Sequence, residues 1–94
     1  MIVFMATIRT RPETAEPVAE ALRQLAGQTR AEPGCLSYTV HRSVDDPTLL
    51  VTVEEWRSQE DIQRHFEMPY VKDLMAQAPA LLAAEPVFQT LLRL

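Results

Sequence analysis

Cys35-Leu36-Ser37-Tyr38-Thr39-Val40-His41-Arg42-Ser43, Val44-Asp45-Asp46-Pro47-Thr48 and Leu49-Leu50-Val51-Thr52-Val53-Glu54-Glu55-Trp56 run consecutively, and the architecture turns on them. Two alternating segments flank a polar break. In the first, Leu36, Tyr38 and Val40 fall on one face of a strand and Ser37, Thr39 and His41 on the other. Asp45-Asp46-Pro47 carries turn chemistry, so Leu49 to Trp56 is expected to return antiparallel as a hairpin. Thr52, Glu54 and Trp56 then share one face of the return strand, and Leu49, Val51 and Val53 share the other.

Working outward, Ile2 to Arg9 alternates between the rows Ile2/Phe4/Ala6/Ile8 and Val3/Met5/Thr7/Arg9. The first row is apolar and the second mostly so, as in a strand covered on both faces. A helix is expected from Thr14, with Thr14 as N-cap and Glu13 and Glu16 at its positive end. Pro17 falls in its first turn. Val18, Ala21, Leu22, Leu25 and Ala26 form its buried stripe, and Glu32-Pro33-Gly34 stops it. After the hairpin, Ser58 caps a short helix, with Asp61 in a capping-box-like position. Pro69 begins another helix, striped by Val71, Leu74, Met75 and Ala78, which Pro79 ends or kinks. Pro86 leads into a last strand, Val87 to Leu94.

The order β-α-β-β-α-α-β is the split arrangement of ferredoxin-like folds. It predicts an α+β domain spanning residues 1–94, with helices on one face of a four-stranded antiparallel sheet. Rows such as Leu49/Val51/Val53 are too apolar to face water, so the other sheet face needs a partner. Face-to-face pairing of two copies predicts a homodimer, a dimeric α/β barrel. A chain of 94 residues with 47% apolar content points the same way, because so short a chain has a thin core of its own.

Nine basic and thirteen acidic residues give a net charge of -4, and no stretch clusters Lys and Arg. A nucleic-acid partner is therefore not expected. No apolar run approaches the ~20 residues that span a bilayer, so no membrane segment is expected either. Met1-Ile2-Val3-Phe4-Met5 lacks a preceding basic region and reads as strand rather than signal peptide. The single cysteine, Cys35, cannot form an intrachain disulfide and suits a reducing, cytoplasmic setting. It reads as a small buried hydrophobe. Two histidines and one cysteine scattered in this way make no metal site.

Chemistry concentrates between Thr52 and Tyr70. Ile62, His65 and Phe66 share one helical face by three- and four-residue spacing. If that helix folds over the sheet, Glu54, Trp56 and His65 converge, and a carboxylate beside an imidazole can orient a general base. Blander roles compete at each position. His65 follows Asp61 by four residues and can form a surface pair. Trp56 can be a plain core anchor, and Glu54 can hold a donor near the hairpin end. Tyr38 either bonds internally or reaches the pocket. His41 is expected to contact the acids of the Asp45-Asp46 turn.

Arg30-Ala31-Glu32-Pro33-Gly34-Cys35-Leu36-Ser37-Tyr38 resembles a signature of antibiotic biosynthesis monooxygenase domains. Glu54-x-Trp56-x-Ser58, with His65 nine residues after Trp56, resembles a second signature of that family. The resemblance covers nearly the whole chain and implies the dimeric barrel fold. It also implies a small-molecule substrate and, for many members, oxidation of a quinol or aromatic compound by O2 without a cofactor. Two departures stand out. The chain contains no asparagine, where haem-degrading relatives use one in the cavity, and the strand position before Glu54 is Thr52. Tyr70, after Pro69, stands where many members carry a second histidine. The resemblance and the helical geometry together make His65 the base, oriented by Glu54 or Asp61. Trp56, Phe66, Tyr70, Thr52 and Ile62 are then expected at the substrate pocket, with Tyr38 as a hydrogen-bond donor. An isomerase using the same base without O2, and a non-catalytic dimeric binding protein, stay open as alternatives.

Overall fold

The computed structural model describes residues 1–94, beginning with β1 (Ile2–Arg9), a 3-10 turn (Pro12–Thr14) and α1 (Ala15–Thr29). The hairpin β2 (Cys35–Arg42) and β3 (Leu49–Trp56) follows, then α2 (Gln59–Glu67), α3 (Pro69–Leu81) and β4 (Val87–Leu92). The strands form one antiparallel sheet in the order β2-β3-β1-β4. That is the ferredoxin-like arrangement expected from the element order.

Register sorts the side chains between two faces. Ala6 pairs with Thr52 and with Phe88, and Phe4 with Glu54, so Phe4, Ala6, Ile8, Leu50, Thr52, Glu54 and Trp56 share the inner face. All of these except Phe88 are buried. Ala6, Ile8 and Leu50 meet Val18, Ala19, Leu22, Leu25 and Ala26 of α1 and Val71 of α3 in one core, while Phe4 and Trp56 pack with Ile62 of α2 in a second cluster. Burial on α1 includes Ala19, while Ala21 of the expected stripe stays half-buried. No helix is long and apolar enough to cross a membrane.

The opposite face carries Val3, Met5 and Thr7 of β1, with Val53 and Val51 beside Met5 and Thr7. β4 adds Leu91 and Val87, paired with Val3 and Thr7. None of these side chains is buried within the chain, and every residue of β4 is exposed.

Several local readings change. A bulge between Cys35 and Ser37 breaks the alternation of β2. Leu36 therefore points outward at 56% exposure, while Tyr38 turns in at 3%. A bulge re-aims side chains by inserting one unpaired residue. Thr14 does not cap α1 with its side chain; its hydroxyl donates to Leu81 O at 2.6 Å instead. Arg11 binds the carbonyls of Leu82 and Ala80. Free carbonyls at a helix C-terminus need such donors, and these two residues let α3 continue through Pro79 to Leu81. His41 contacts Thr39 Oγ1 rather than the turn acids. Asp46 is occupied within the turn, accepting from the backbone and hydroxyl of Thr48. Ser58 does cap α2, accepting from Asp61 N.

Candidate active site

α2 lies over the β3 end of the sheet and buries Asp61, Ile62 and His65, which share one helical face. His65 is 3% exposed, with its ring 4.9 Å from that of Trp56 and 5.4 Å from that of Phe66. Its Nδ1 lies 2.9 Å from Glu32 Oε2. The hydroxyl of Tyr70 donates to the same Glu32 oxygen. No partner within the chain engages Nε2.

Neither residue expected to orient His65 does so. Asp61 is taken up by Arg57, whose Nε and Nη2 each reach it at 3.0 Å, by Ser58 at 2.8 Å, and by Arg64. These partners, Arg57 foremost, hold its carboxyl far below the ordinary carboxylate range. Glu54 accepts from Thr52 Oγ1 at 2.8 Å and from Trp56 Nε1 at 2.9 Å. Burial pushes the Glu54 carboxyl up, opposed by those two donors and by the nearby His65. The phenol of Tyr38 is also pushed up by burial. The Cys35 thiol is raised by burial as well. It is thus a poor thiolate.

Between helices and sheet lies a cavity of about 70 Å³ lined mostly by apolar side chains. Its polar wall consists of Tyr38, Thr52, Glu54 and His65, and Phe4, Phe66 and Phe88 form an aromatic side. The rings of Phe4 and Phe88 stack at 5.7 Å, with Phe66 edge-on to both. Met75, Ala78, Leu82, Pro86 and Phe88 also border an outer groove of about 480 Å³ at the α3–β4 connection. The two spaces share these residues as a common wall.

Thus Tyr38, Thr52, Glu54, His65 and Phe66 reach the cavity wall, whereas Trp56, Ile62 and Tyr70 stand behind it. Trp56 is 0% exposed and packs with Phe4 and Ile62 beneath the His65 ring. Glu32 is the residue that sequence reasoning missed, because it lies in the turn that stops α1, 33 positions before His65. Phe4 was legible as a buried row member of β1 but not as a cavity wall.

Gly34 shows how Glu32 is delivered. Its carbonyl accepts from Arg57 N at 2.9 Å, and a Cβ at this position would overlap the Asp61 carboxyl. The Glu32-Pro33-Gly34 turn can therefore press against the start of α2 only with glycine present. Gly34→Ala is expected to cost ~1–3 kcal/mol, as overpacking does. Urea unfolding followed by the fluorescence of Trp56 measures it, and an unchanged midpoint would contradict the close approach.

Residues 1–77 match the family model described as antibiotic biosynthesis monooxygenase. The chain belongs to this family. Among its relatives, Rv0793 of Mycobacterium tuberculosis is 32% identical over 97% of this chain and 88% of its own. YcnE of Bacillus subtilis is 29% identical over 89% of this chain and 88% of its own. Both are named provisionally as monooxygenases. The chain spans only 56% of an uncharacterised Synechocystis protein that it matches at 28% identity. The crystal structure of PA3566 from Pseudomonas aeruginosa superposes with a TM-score of 0.92 at 32% identity, covering 99% of this chain and 93% of that one. A family structure from Nitrosomonas europaea reaches 0.94 at 23% identity, a likeness of fold.

Proposed function

We propose that the protein is a cofactor-independent monooxygenase that oxidises a small aromatic or quinol-like substrate with O2, with His65 as general base. One observation carries this reading: an apolar cavity whose wall includes an imidazole held at Nδ1 and unpartnered at Nε2. Such a nitrogen can take the proton of a bound phenol or hydroquinone. The resulting anion passes one electron to O2. Superoxide and the substrate radical then combine at a ring carbon bearing hydrogen. Loss of water from that peroxide leaves a quinone, so one oxygen atom enters the product and the other leaves as water. The apolar walls keep solvent from the anion and the radical pair. Tyr38 lines the same space, and its hydroxyl can donate to the oxygen that gains charge, while the Thr52 proton is committed to Glu54.

The test is oxygen uptake with a panel of hydroquinones and phenols of one to three rings. Consumption of O2 with release of a quinone carrying one added oxygen atom supports the reaction. Substrate turnover without O2 uptake would favour the isomerase, which uses the same base. Ligand binding with no turnover would favour the binding protein.

The working form in this reading is a homodimer joined through the outer sheet face. Val3, Met5, Val51, Val53, Val87 and Leu91 lie together there without cover from their own chain. Contiguous apolar surface of this kind marks an interface. Light scattering at low micromolar concentration is expected to give twice the chain mass, and a monomer would refute the pairing.

A further inference from the structure

The Arg30–Cys35 turn places a carboxylate on the buried side of the His65 ring, and that arrangement constrains where the imidazole proton sits. A carboxylate oxygen is an acceptor only, whereas a neutral imidazole has one donor and one acceptor nitrogen. Glu32 Oε2 meets both the Tyr70 hydroxyl and His65 Nδ1. Both groups must donate to it. The neutral ring then carries its proton on Nδ1 and leaves Nε2 bare.

The turn is built to hold that carboxylate. Glu32 N donates to Thr29 O at 2.9 Å and Cys35 N to Glu32 O at 3.0 Å. Arg30 reaches Tyr38 O through Nε at 3.1 Å and Nη2 at 2.8 Å. Gly34 allows the contact with Asp61 and Arg57 already described. Glu32 is consequently 9% exposed although it lies in a loop.

We propose that Glu32 and Tyr70 are positioning residues that hold His65 in its Nδ1–H tautomer, with Nε2 turned to the cavity. Tyr70 shares the Glu32 oxygen with the imidazole and moderates its pull on the Nδ1 proton. The inference rests on the reading of His65 as base for its catalytic meaning, but its structural content is independent of any substrate. Other titratable groups near the ring are Glu54 from β3, Tyr38 from β2 and Cys35 at the start of β2. On α2 itself, Asp61 and Arg64 bind each other.

Long-range ¹H–¹⁵N correlation spectra of the labelled protein at mildly alkaline pH report the tautomer directly. In the wild-type protein, Nδ1 of His65 is expected to resonate as a protonated nitrogen and Nε2 as an unprotonated one. Glu32→Ala should abolish that preference and lower kcat at least about tenfold in the oxygen-uptake assay, with KM little changed. Glu32→Gln keeps an acceptor and should preserve the tautomer. It removes the carboxylate charge that strengthens the bond, so the Nδ1 proton should shift upfield. Tyr70→Phe should move that resonance the opposite way, because Glu32 loses a competing donor. An Nε2–H tautomer in the wild-type protein would overturn the proposal, and so would an Nδ1 proton resonance unmoved in both conservative variants. Oxygen uptake that survived His65→Ala would defeat the proposed reaction alone and leave the tautomer assignment intact.

Discussion

His65→Ala is expected to lower turnover by ~100–10,000-fold, the range for loss of a general base. No other imidazole can stand in, because His41 lies on the outer sheet face and bonds to Thr39. The substitution also leaves Glu32 buried with Tyr70 as its remaining donor. Some stability should be lost with it, about 1–3 kcal/mol for an under-satisfied polar group. His65→Gln can return a donor to Glu32 without restoring a base, so it separates the two effects. Both variants should lose turnover, and the glutamine should be the more stable on urea unfolding. In the wild-type protein activity should decline on acidification, since a protonated imidazole accepts no proton. Turnover of His65→Ala within about threefold of wild type would remove His65 from the chemistry, given the magnitude expected of a base.

Trp56→Ala is expected to destabilise the fold by ~3–5 kcal/mol, as large aromatic truncations do. The indole is 0% exposed, contacts Phe4 and Ile62, and supports the ring of His65. A loss of that size is a large share of the ~5–15 kcal/mol that holds a typical domain folded. If the variant fails to fold, Trp56→Phe supplies a second measurement that retains much of the volume while removing the Nε1–H donor. Its cost should depend on pH. The Glu54 carboxyl is already raised in the folded chain by burial, and Trp56 is the foremost group opposing that rise. Without this donor, the carboxyl rises further. The folded variant then binds its proton over a wider range than the unfolded chain, so stability falls as pH rises through that range. The penalty should therefore be smaller in acid, where Glu54 is protonated, and larger near neutrality. A pH-independent penalty would mean that the Trp56–Glu54 bond contributes packing alone. Thermal unfolding by circular dichroism across pH is the measurement, since the phenylalanine variant has no tryptophan to report.

Local periodicity revealed as much of the site as one element can encode. Leu50, Thr52, Glu54 and Trp56 lie on the buried face because strand side chains alternate whatever surrounds them. Ile62 and His65 are buried together because helical spacing puts them on one stripe. Contacts between elements left no such trace. The Asp61 carboxylate, four residues before His65, was a plausible partner by spacing, but Arg57 and Arg64 are equally near and carry the charge it needs. Tyr70 has the size of a pocket wall, yet its hydroxyl follows the Glu32 carboxylate away from the cavity.

The sequence by itself determined the element order, the antiparallel hairpin, the buried row of β3 and the family, because each depends on spacing or motif within a short segment. Only the tertiary structure decided that Glu32 holds the imidazole, that Leu36 turns outward at a bulge, and that Trp56 supports His65 from behind. These outcomes depend on distances between segments remote in the chain. Gly34 had to bring one turn against α2, and β1 had to seat Phe4 beside Glu54, before side chains with no shared periodicity could meet.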